Sequence, residues 1–350
     1  MFVLENYGIA VLFCVITMLC WGSWGNTQKL AGKTWRFELF YWDYVFGVFL
    51  TALVFAFTLG STGQAAGRGF LVDLAQADPM VLGSAFLGGV VFNAANILLV
   101  AAIAIAGMSV AFPVGIGLAL VLGVLINFVA QPDSGNPVFL FAGVILVTVA
   151  IVLNAIAYRQ LPNQKQGGGS IKGIVLAVCC GVLMSLFYFL VARSLAGVEV
   201  AGELKSLTAE TLAIGTLEAK KITPYTANVV FALGILMSSF LFVTAIMYKP
   251  FTGEPVAPTT YFKGTALDHL WGIVGGSIWA VGMTLNVIAS GVASPAVSYG
   301  LGQGATLVAA IWGVFVWREF KGGSATVNML LNTMFIAFFL GLALIIWTKA

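Results

Sequence analysis

Apolar residues in this chain form long, almost uninterrupted stretches instead of the short periodic patterns of a soluble protein. Ten stretches reach about 20 residues, the length that a helix needs to cross the hydrocarbon core of a bilayer. They cover residues 7–30, 37–59, 80–106, 110–130, 138–158, 171–195, 225–248, 268–290, 296–317 and 326–347. The pattern predicts an all-α membrane protein with ten transmembrane helices, numbered here as spans 1–10.

Two parts of the chain resemble each other. The segment GGVVFNAAN at 88–96 is similar to GGSIWAVGMTLN at 275–286, and AFPVGIG at 111–117 is similar to SPAVSYGLG at 294–302. The first pair lies 187 residues apart. Sequence similarity at a constant spacing indicates that one half of the protein repeats the other.

A polar, glycine-rich linker at 160–170 divides the chain into halves of five spans each, 1–159 and 171–350. Because five is an odd number, two such copies must cross the membrane in opposite directions. We therefore expect two inverted five-helix repeats, an architecture found in many secondary transporters.

Composition supports the membrane assignment and excludes several other classes. Of the residues, 60% are hydrophobic and only 8% are charged, whereas soluble domains carry about 25% charged residues. The net charge of +3 comes from the loops, so no nucleic-acid surface is expected. One histidine and four cysteines without ligand spacing leave no metal site, cofactor or catalytic group to assign, so we do not expect an enzyme.

Basic residues favour one orientation in the membrane. Lysine and arginine in the loops after odd-numbered spans outnumber those in the other loops and the C-terminal end by ten to five. Positively charged loops tend to stay in the cytoplasm. We expect the linker inside and both termini outside, in a multi-pass protein of the cell (inner) membrane.

Four segments resemble known permeases. TWRFELFYWDYVFG at 34–47, GGVVFNAANILLV at 88–100 and GMSVAFPVGIGLALVLGVLINFV at 107–129 resemble ureide permeases, with Asp43 in the place of that family's acid before a tyrosine. GATLVAAIWGVFVWREF at 304–320 resembles the penultimate span shared by ureide permeases and bacterial glucose/rhamnose-type sugar uptake proteins. Both groups belong to the drug/metabolite transporter superfamily.

The resemblance implies a permease for a small neutral polar solute, coupled to protons or sodium. Sugars are the solutes of the bacterial branch, and ureides and nucleobases (allantoin and pyrimidines) those of the plant branch. A drug/metabolite exporter of the same superfamily is the alternative. A channel is less expected, because the sequence has neither a ring of charges nor a carbonyl-filter signature.

Polar and aromatic side chains within the spans are the candidates for the solute site, because polar groups are costly to bury in a bilayer. Amides can donate and accept hydrogen bonds at once, and aromatic faces can stack on a sugar or a ureide. Pro113 and Pro295 are expected to interrupt their spans at matching places in the two halves, which marks binding sites in transporters. The predicted substrate-binding residues are Trp21, Asn93, Asn96, Trp279, Asn286, Tyr299 and Gln303. The alternatives are interhelical hydrogen bonds for the asparagines and interfacial anchoring for the tryptophans.

Asp43 is the one acid clearly inside a span, ~12 Å from its start at 1.5 Å per residue. Burial favours the neutral form of a carboxyl group, so Asp43 is the predicted ion-coupling residue, for a proton first and sodium as the other possibility. The alternative is a structural salt bridge to Arg36 or another basic side chain near the membrane edge. His269, beside Asp268, is expected at an interface without a role.

Overall fold

A computed structural model of the chain describes residues 1–31, 35–63, 66–131, 135–161, 170–251 and 253–349. Ten helices within these residues are long and apolar enough to cross a membrane, which confirms the all-α membrane fold. Spans 1–10 are Tyr7–Leu30, Phe37–Phe57, Pro79–Ala106, Phe112–Ala130, Pro137–Arg159, Ile171–Ala192, Pro224–Tyr248, Ala266–Ala293, Pro295–Val316 and Ala325–Trp347. Most of the predicted linker at 160–170 lies outside the described residues.

Three spans are not continuous α-helices. Span 1 consists of the helices Tyr7–Ser23 and Gly25–Leu30. A short helix, Met108–Ala111, comes directly before span 4. Span 4 begins as a π-helix and continues as an α-helix, and span 9 consists of two α-helices and a final π-helix. These segments are Phe112–Ile116 and Gly117–Ala130 in span 4, and Pro295–Gly302, Ala305–Ile311 and Trp312–Val316 in span 9.

The two prolines do not occupy matching places, so that expectation is wrong. Pro113 lies inside the π-helical start of span 4, whereas Pro295 is the first residue of span 9. Both places tolerate a residue without a backbone N–H, but for different reasons: a π turn shifts the hydrogen-bond pattern, and the first residue of a helix needs no donor.

The positions that do match are the two residues that end spans 3 and 8. Gly107 has φ 81° and ψ 160°, and Ser294 has φ 79° and ψ 154°. They lie 187 residues apart, the spacing of the sequence repeat. Glycine adopts this backbone conformation freely, but serine is strained in it and stays there only because the surrounding structure holds it.

Helix packing follows the same correspondence between the halves. Span 3 packs on spans 6 and 7, span 8 packs on spans 1 and 2, and span 5 packs on span 10. A Cβ atom on Gly89 would lie 2.0 Å from the carbonyl oxygen of Phe231, and one on Gly276 would lie 1.9 Å from that of Tyr44. Within each of the pairs Gly89/Gly276 and Tyr44/Phe231, the two residues are 187 positions apart. This correspondence supports the inverted repeat, which we keep as a proposal.

Replacing Gly89 with alanine should destabilise the fold, because its methyl group has no room between spans 3 and 7. Overpacking of this kind costs about 1–3 kcal/mol. Gly83 of the same helix has no atom within 4 Å of its Cβ position, so Gly83→Ala should leave stability unchanged or raise it by up to about 1 kcal/mol. Thermal unfolding of the two purified variants measures the difference, and equal melting temperatures would rule out the close contact.

A small extramembrane unit lies between spans 6 and 7. Strands β1 (Val198–Val200), β2 (Glu203–Lys205) and β3 (Thr216–Leu217) form an antiparallel sheet in the order β2-β1-β3, in which Val198 pairs with Lys205 and with Leu217. A short helix, Ala209–Ile214, precedes β3. A backbone hydrogen bond of 2.9 Å from Ala209 to Leu4 joins this unit to the N-terminal segment.

The same end of the bundle carries both chain termini, and we call it the terminal face. There the helix Phe70–Gln76 is joined to the segment before span 7, because Arg68 bonds Asp73 at 2.8 Å and also donates to the carbonyl groups of Glu218 and Lys221. The opposite end, where span 5 ends and span 6 begins, is called the linker face. It carries the 3₁₀-helix Pro258–Lys263.

Candidate functional site

Two tryptophans stack at the middle of the bundle. The rings of Trp21 in span 1 and Trp279 in span 8 lie 5.7 Å apart with 10° between their planes, and Trp21 Nε1 donates to the carbonyl oxygen of Trp279 at 3.2 Å. Phe92 and Phe231 pack on Trp279 with ring centroids 4.6 and 6.0 Å away. Gly302 of span 9 allows the close approach, since a Cβ there would lie 2.8 Å from the Trp21 ring. We call these four aromatic side chains the tryptophan layer.

Asn286 lies two helical turns beyond Trp279 on span 8 and is fully buried. Its Nδ2 donates to the carbonyl oxygen of Ser298 at 2.9 Å, and its main-chain carbonyl accepts from the Tyr188 hydroxyl at 3.3 Å. Among the described residues, Asn286 Oδ1 has no hydrogen-bond partner. A buried polar atom without a partner costs about 1–3 kcal/mol, so a ligand that donates a hydrogen bond to this oxygen would bind favourably.

Tyr299 and Gln303 of span 9 differ in how the protein uses them. The Tyr299 hydroxyl is buried and lies 3.1 Å from the carbonyl oxygen of Ala119 and 3.2 Å from that of Met184, so it joins span 9 to spans 4 and 6. Gln303 follows the helix Pro295–Gly302, and its side chain makes no hydrogen bond with the described residues. The Tyr299 hydroxyl is therefore already used within the protein, whereas the Gln303 side-chain amide is available for a solute.

Asn93 and Asn96 lie in a hydrogen-bond network that joins spans 2, 3 and 7. The Tyr41 hydroxyl donates to Asn93 Oδ1 and accepts from Asn96 Nδ2, both at 3.0 Å. Asn93 Nδ2 lies 2.8 and 3.0 Å from the hydroxyl oxygens of Ser238 and Ser239. In this conformation Asn93 acts as an interhelical hydrogen-bond partner, and it would have to exchange these bonds to contact a solute.

A large cavity opens at the terminal face. Its volume is about 490 Å³, and its walls come from spans 4, 6, 8 and 9 and from the extramembrane unit. Arg193, Lys205 and Lys221 stand in its wall, with Asn127 and Ser290. We call it the terminal cavity. Its wall includes Val287, the residue after Asn286 on span 8.

A smaller cavity of about 220 Å³ opens at the linker face between spans 1, 4, 5 and 9. Asn26, Asn154 and Thr306 are among its polar lining residues. Gly22, the residue after Trp21, also lines this linker cavity. The tryptophan layer therefore lies at a depth between the two cavities, and none of its four side chains lines either cavity.

Asn127, Asn154 and Ser290 were not predicted as site residues. Each is a polar residue within an apolar span, so the sequence carried a signal for them. Helical spacing also pointed to two of them, because Tyr158 lies one turn after Asn154 in span 5 and Asn286 lies one turn before Ser290 in span 8.

An ion pair lies at the mouth of the linker cavity. Lys29 Nζ at the end of span 1 lies 2.9 Å from Glu319 Oε1, after the end of span 9, and the Tyr158 hydroxyl of span 5 also bonds Glu319. Lys29 in addition lies over the Trp317 ring, 4.6 Å from its centroid. These contacts hold three spans together at the linker face.

Replacing Glu319 with alanine should widen the mouth of the linker cavity without unfolding the protein. Both partners are partly exposed, so the pair contributes no more than about 1 kcal/mol to stability. We expect a cysteine placed at Asn154 to react faster with a thiol reagent in the Glu319→Ala background. Lys205→Met, which removes the long Lys205–Glu203 pair at the terminal face, is the matched control. Unchanged reactivity would show that the ion pair does not limit access to the cavity.

Asp43 is buried and bonded to two groups at the linker face. The Tyr261 hydroxyl donates to Asp43 Oδ1 at 2.5 Å, and His269 Nδ1 lies 3.0 Å from both carboxylate oxygens. Trp35 packs edge-on against the His269 ring with centroids 5.1 Å apart. Burial, followed by the hydrogen bond to Asp43, raises the pKa of Tyr261, so its phenol stays protonated and acts as a donor.

The basic side chain beside Asp43 is not Arg36, which pairs with Glu38 at 2.6 Å. His269, which was expected to have no role, is the basic partner of Asp43, brought there from 226 residues away. Within the described residues, no group of three or more His, Cys, Asp or Glu side chains is arranged to hold a metal ion.

Comparison with known proteins identifies similar permeases. The family model described as ureide permease matches residues 40–168. Ureide permease 2 of Arabidopsis thaliana is 22% identical over 99% of this chain and 98% of its own length, and ureide permease 5 of the same plant is 23% identical over 98% and 95%. A probable ureide permease A3 of Vigna unguiculata is 29% identical over 43% of this chain and 40% of its own.

A solved structure shares the fold. It is the crystal structure of a protein that superposes with a TM-score of 0.60 at 15% identity and covers 97% of this chain and 99% of its own. The similar permeases indicate a multi-pass membrane transporter and confirm the prediction of a transporter instead of an enzyme. The resemblance to ureide permeases is confirmed, whereas the sugar branch and the wider superfamily stay predictions.

Proposed function

We propose that this chain is a secondary active transporter that takes up a small neutral solute of the ureide or nucleobase type by alternating access. The observation that carries the proposal is the closed tryptophan layer between two cavities that open at opposite faces. An alternating-access transporter needs a site that each cavity reaches in turn. The similarity to ureide permeases along the whole chain supports the solute class.

Side-chain chemistry at the layer suits a planar amide better than a sugar. A ureide ring or a nucleobase presents a flat face that can insert beside the parallel indoles of Trp21 and Trp279, and an edge of alternating N–H and C=O groups. Asn286 Oδ1 can accept from such an N–H, and the amide of Gln303 can pair with both kinds of group. In this proposal Tyr299 forms the wall, and Asn93 and Asn96 contact the solute after giving up their bonds to Tyr41.

Two inverted repeats, 1–159 and 171–350, would provide the two alternating states, because each half can adopt the conformation of the other. With the termini outside, as the basic residues indicate, the terminal cavity is the entry vestibule and the linker cavity is the exit into the cytoplasm. Asp43 is the proposed coupling residue, for a proton, at the cytoplasmic side of the cell membrane.

A thermal-shift screen of the purified protein tests the solute class. A ligand that binds only the folded state raises its stability by RT ln(1 + [L]/Kd), which is ~2.7 kcal/mol at a hundredfold excess over Kd. We expect allantoin or a nucleobase to raise the melting temperature. If only hexoses raised the melting temperature, the solute would be a sugar and not a ureide or nucleobase. If none of these compounds raised it, the proposal would be contradicted.

A further inference from the structure

We propose that His269 is the relay through which Asp43 exchanges its proton with water at the linker face, while Tyr261 holds the carboxylate in position. The inference rests on the proposed coupling role of Asp43 and adds the path by which its proton enters and leaves.

The relay follows from the different exposure of the two partners. The Asp43 side chain is 2% exposed, whereas that of His269 is 25% exposed. The carboxylate therefore meets water through the imidazole. The two ring nitrogens of histidine are distinct: Nδ1 faces Asp43, and Nε2 faces Gly264 of the loop, where a Cβ would lie 2.7 Å away.

The proton transfer balances within the pair. Neutral His269 with its hydrogen on Nδ1 gives that proton to an Asp43 oxygen, and Nε2 takes a proton from a hydronium ion at the linker face, which becomes water. One N–H bond breaks and one forms, one O–H bond of hydronium breaks and one forms on Asp43, and the imidazole ends neutral as its other tautomer. The charge of the pair changes from −1 to 0, and release runs through the same steps in reverse.

Charged groups on the neighbouring spans are paired with other residues in the described part of the chain. Glu38 of span 2 pairs with Arg36, Asp268 of span 8 accepts from Thr265, and Lys29 of span 1 pairs with Glu319. Lys263 of the loop is exposed to solvent. Span 7 contains no Asp, Glu, Lys, Arg or His. On the loop, Tyr261 contacts the carboxylate, but its raised pKa keeps its phenol protonated.

Span 8 connects the relay to the solute site. His269 and Trp279 lie on this one helix, ~15 Å apart at 1.5 Å per residue. Span 8 lies directly against span 2 at this point, since a Cβ on Gly272 would be 2.3 Å from Asp43 Cβ. Neutralising Asp43 weakens its hold on His269, which allows span 8 to shift against span 2 and to carry Trp279 with it.

His269→Asn separates the relay from a purely structural contact. The asparagine Nδ2 takes the place of Nδ1 and can still donate to Asp43, but it cannot pass a proton on. In protein reconstituted into liposomes, we expect solute exchange without a pH gradient to stay close to wild type. Uptake driven by a pH gradient should slow by roughly 10²-fold, the scale of a lost proton-transfer group. Lys263→Met, which changes an exposed residue of the same loop, is the control and should keep pH-driven uptake.

His269→Ala provides a second measurement, because imidazole added to the medium can occupy the space of the lost ring. We expect imidazole to restore pH-driven uptake in a concentration-dependent way. Wild-type pH-driven uptake by the His269→Asn variant would overturn the relay. The relay would also be overturned if His269→Asn lost solute exchange and imidazole failed to rescue His269→Ala. A wild-type protein that exchanges solute but ignores the pH gradient would overturn the coupling role of Asp43, and no exchange at all would overturn the proposed transport function.

Discussion

Replacing Trp21 with alanine should abolish saturable solute uptake while the protein remains in the membrane. The indole stacks on Trp279, donates to its carbonyl group and fills the space beside Gly302, so its loss removes both the barrier between the cavities and the surface on which a planar solute would stack. Large-to-small changes of this kind cost ~3–5 kcal/mol where the site does not collapse. We expect solute affinity to fall by at least about tenfold, which corresponds to ~1.4 kcal/mol.

Two further variants make the result specific for the site. Trp21→Phe keeps an aromatic face and should retain part of the uptake. Trp347→Ala removes an exposed tryptophan at the end of span 10 and should change neither affinity nor rate. Binding measured by the thermal shift and uptake measured in liposomes should fall together for Trp21→Ala. Wild-type affinity in a folded Trp21→Ala protein would place the solute elsewhere.

Replacing Asp43 with asparagine should uncouple transport from its driving ion. Asparagine keeps the size and an oxygen that accepts from Tyr261, but it cannot ionise. The variant should exchange solute down its gradient and lose accumulation driven by a pH gradient. Glu38→Gln in the same helix, which removes an acid paired with Arg36, is the control and should accumulate solute normally.

Other outcomes for Asp43→Asn have distinct meanings. A destabilised variant with residual pH-driven transport would show that the Asp43–His269 pair serves only to hold spans 2 and 8 together. Full accumulation by a stable variant would contradict the coupling role. Accumulation by the wild-type protein that follows a sodium gradient and ignores a proton gradient would assign sodium as the coupling ion.

The membrane fold could be predicted from the sequence because the bilayer imposes a length on every span. Spans 1 and 10 begin and end within a residue of the apolar stretches, and span 8 extends only a few residues beyond its stretch. Hydropathy does not register backbone irregularities, however. The π-helical start of span 4 and the strained Ser294 depend on contacts between spans, so the prolines gave a wrong indication of where the helices break.

The candidate site could be predicted only in part. Trp21, Trp279 and Asn286 come together as expected, because their spacing put each of them at mid-depth on its helix. Residue spacing does not reveal which polar atoms already make hydrogen bonds within the protein. The Asn93 side chain makes such bonds, whereas the Gln303 side chain makes none with the described residues. The pairing of Asp43 with His269 depends on how span 8 packs against span 2, which no local pattern near either residue contains.

Solute counterflow in liposomes is the most direct test of alternating access at this site. Liposomes containing the protein are loaded with unlabelled allantoin and diluted into a low concentration of labelled allantoin, without any ion gradient. A transporter of the proposed kind predicts a transient accumulation of label that saturates with external allantoin and disappears in Trp21→Ala. A flux that rises linearly with concentration, or no entry of label above that of empty liposomes, would contradict it.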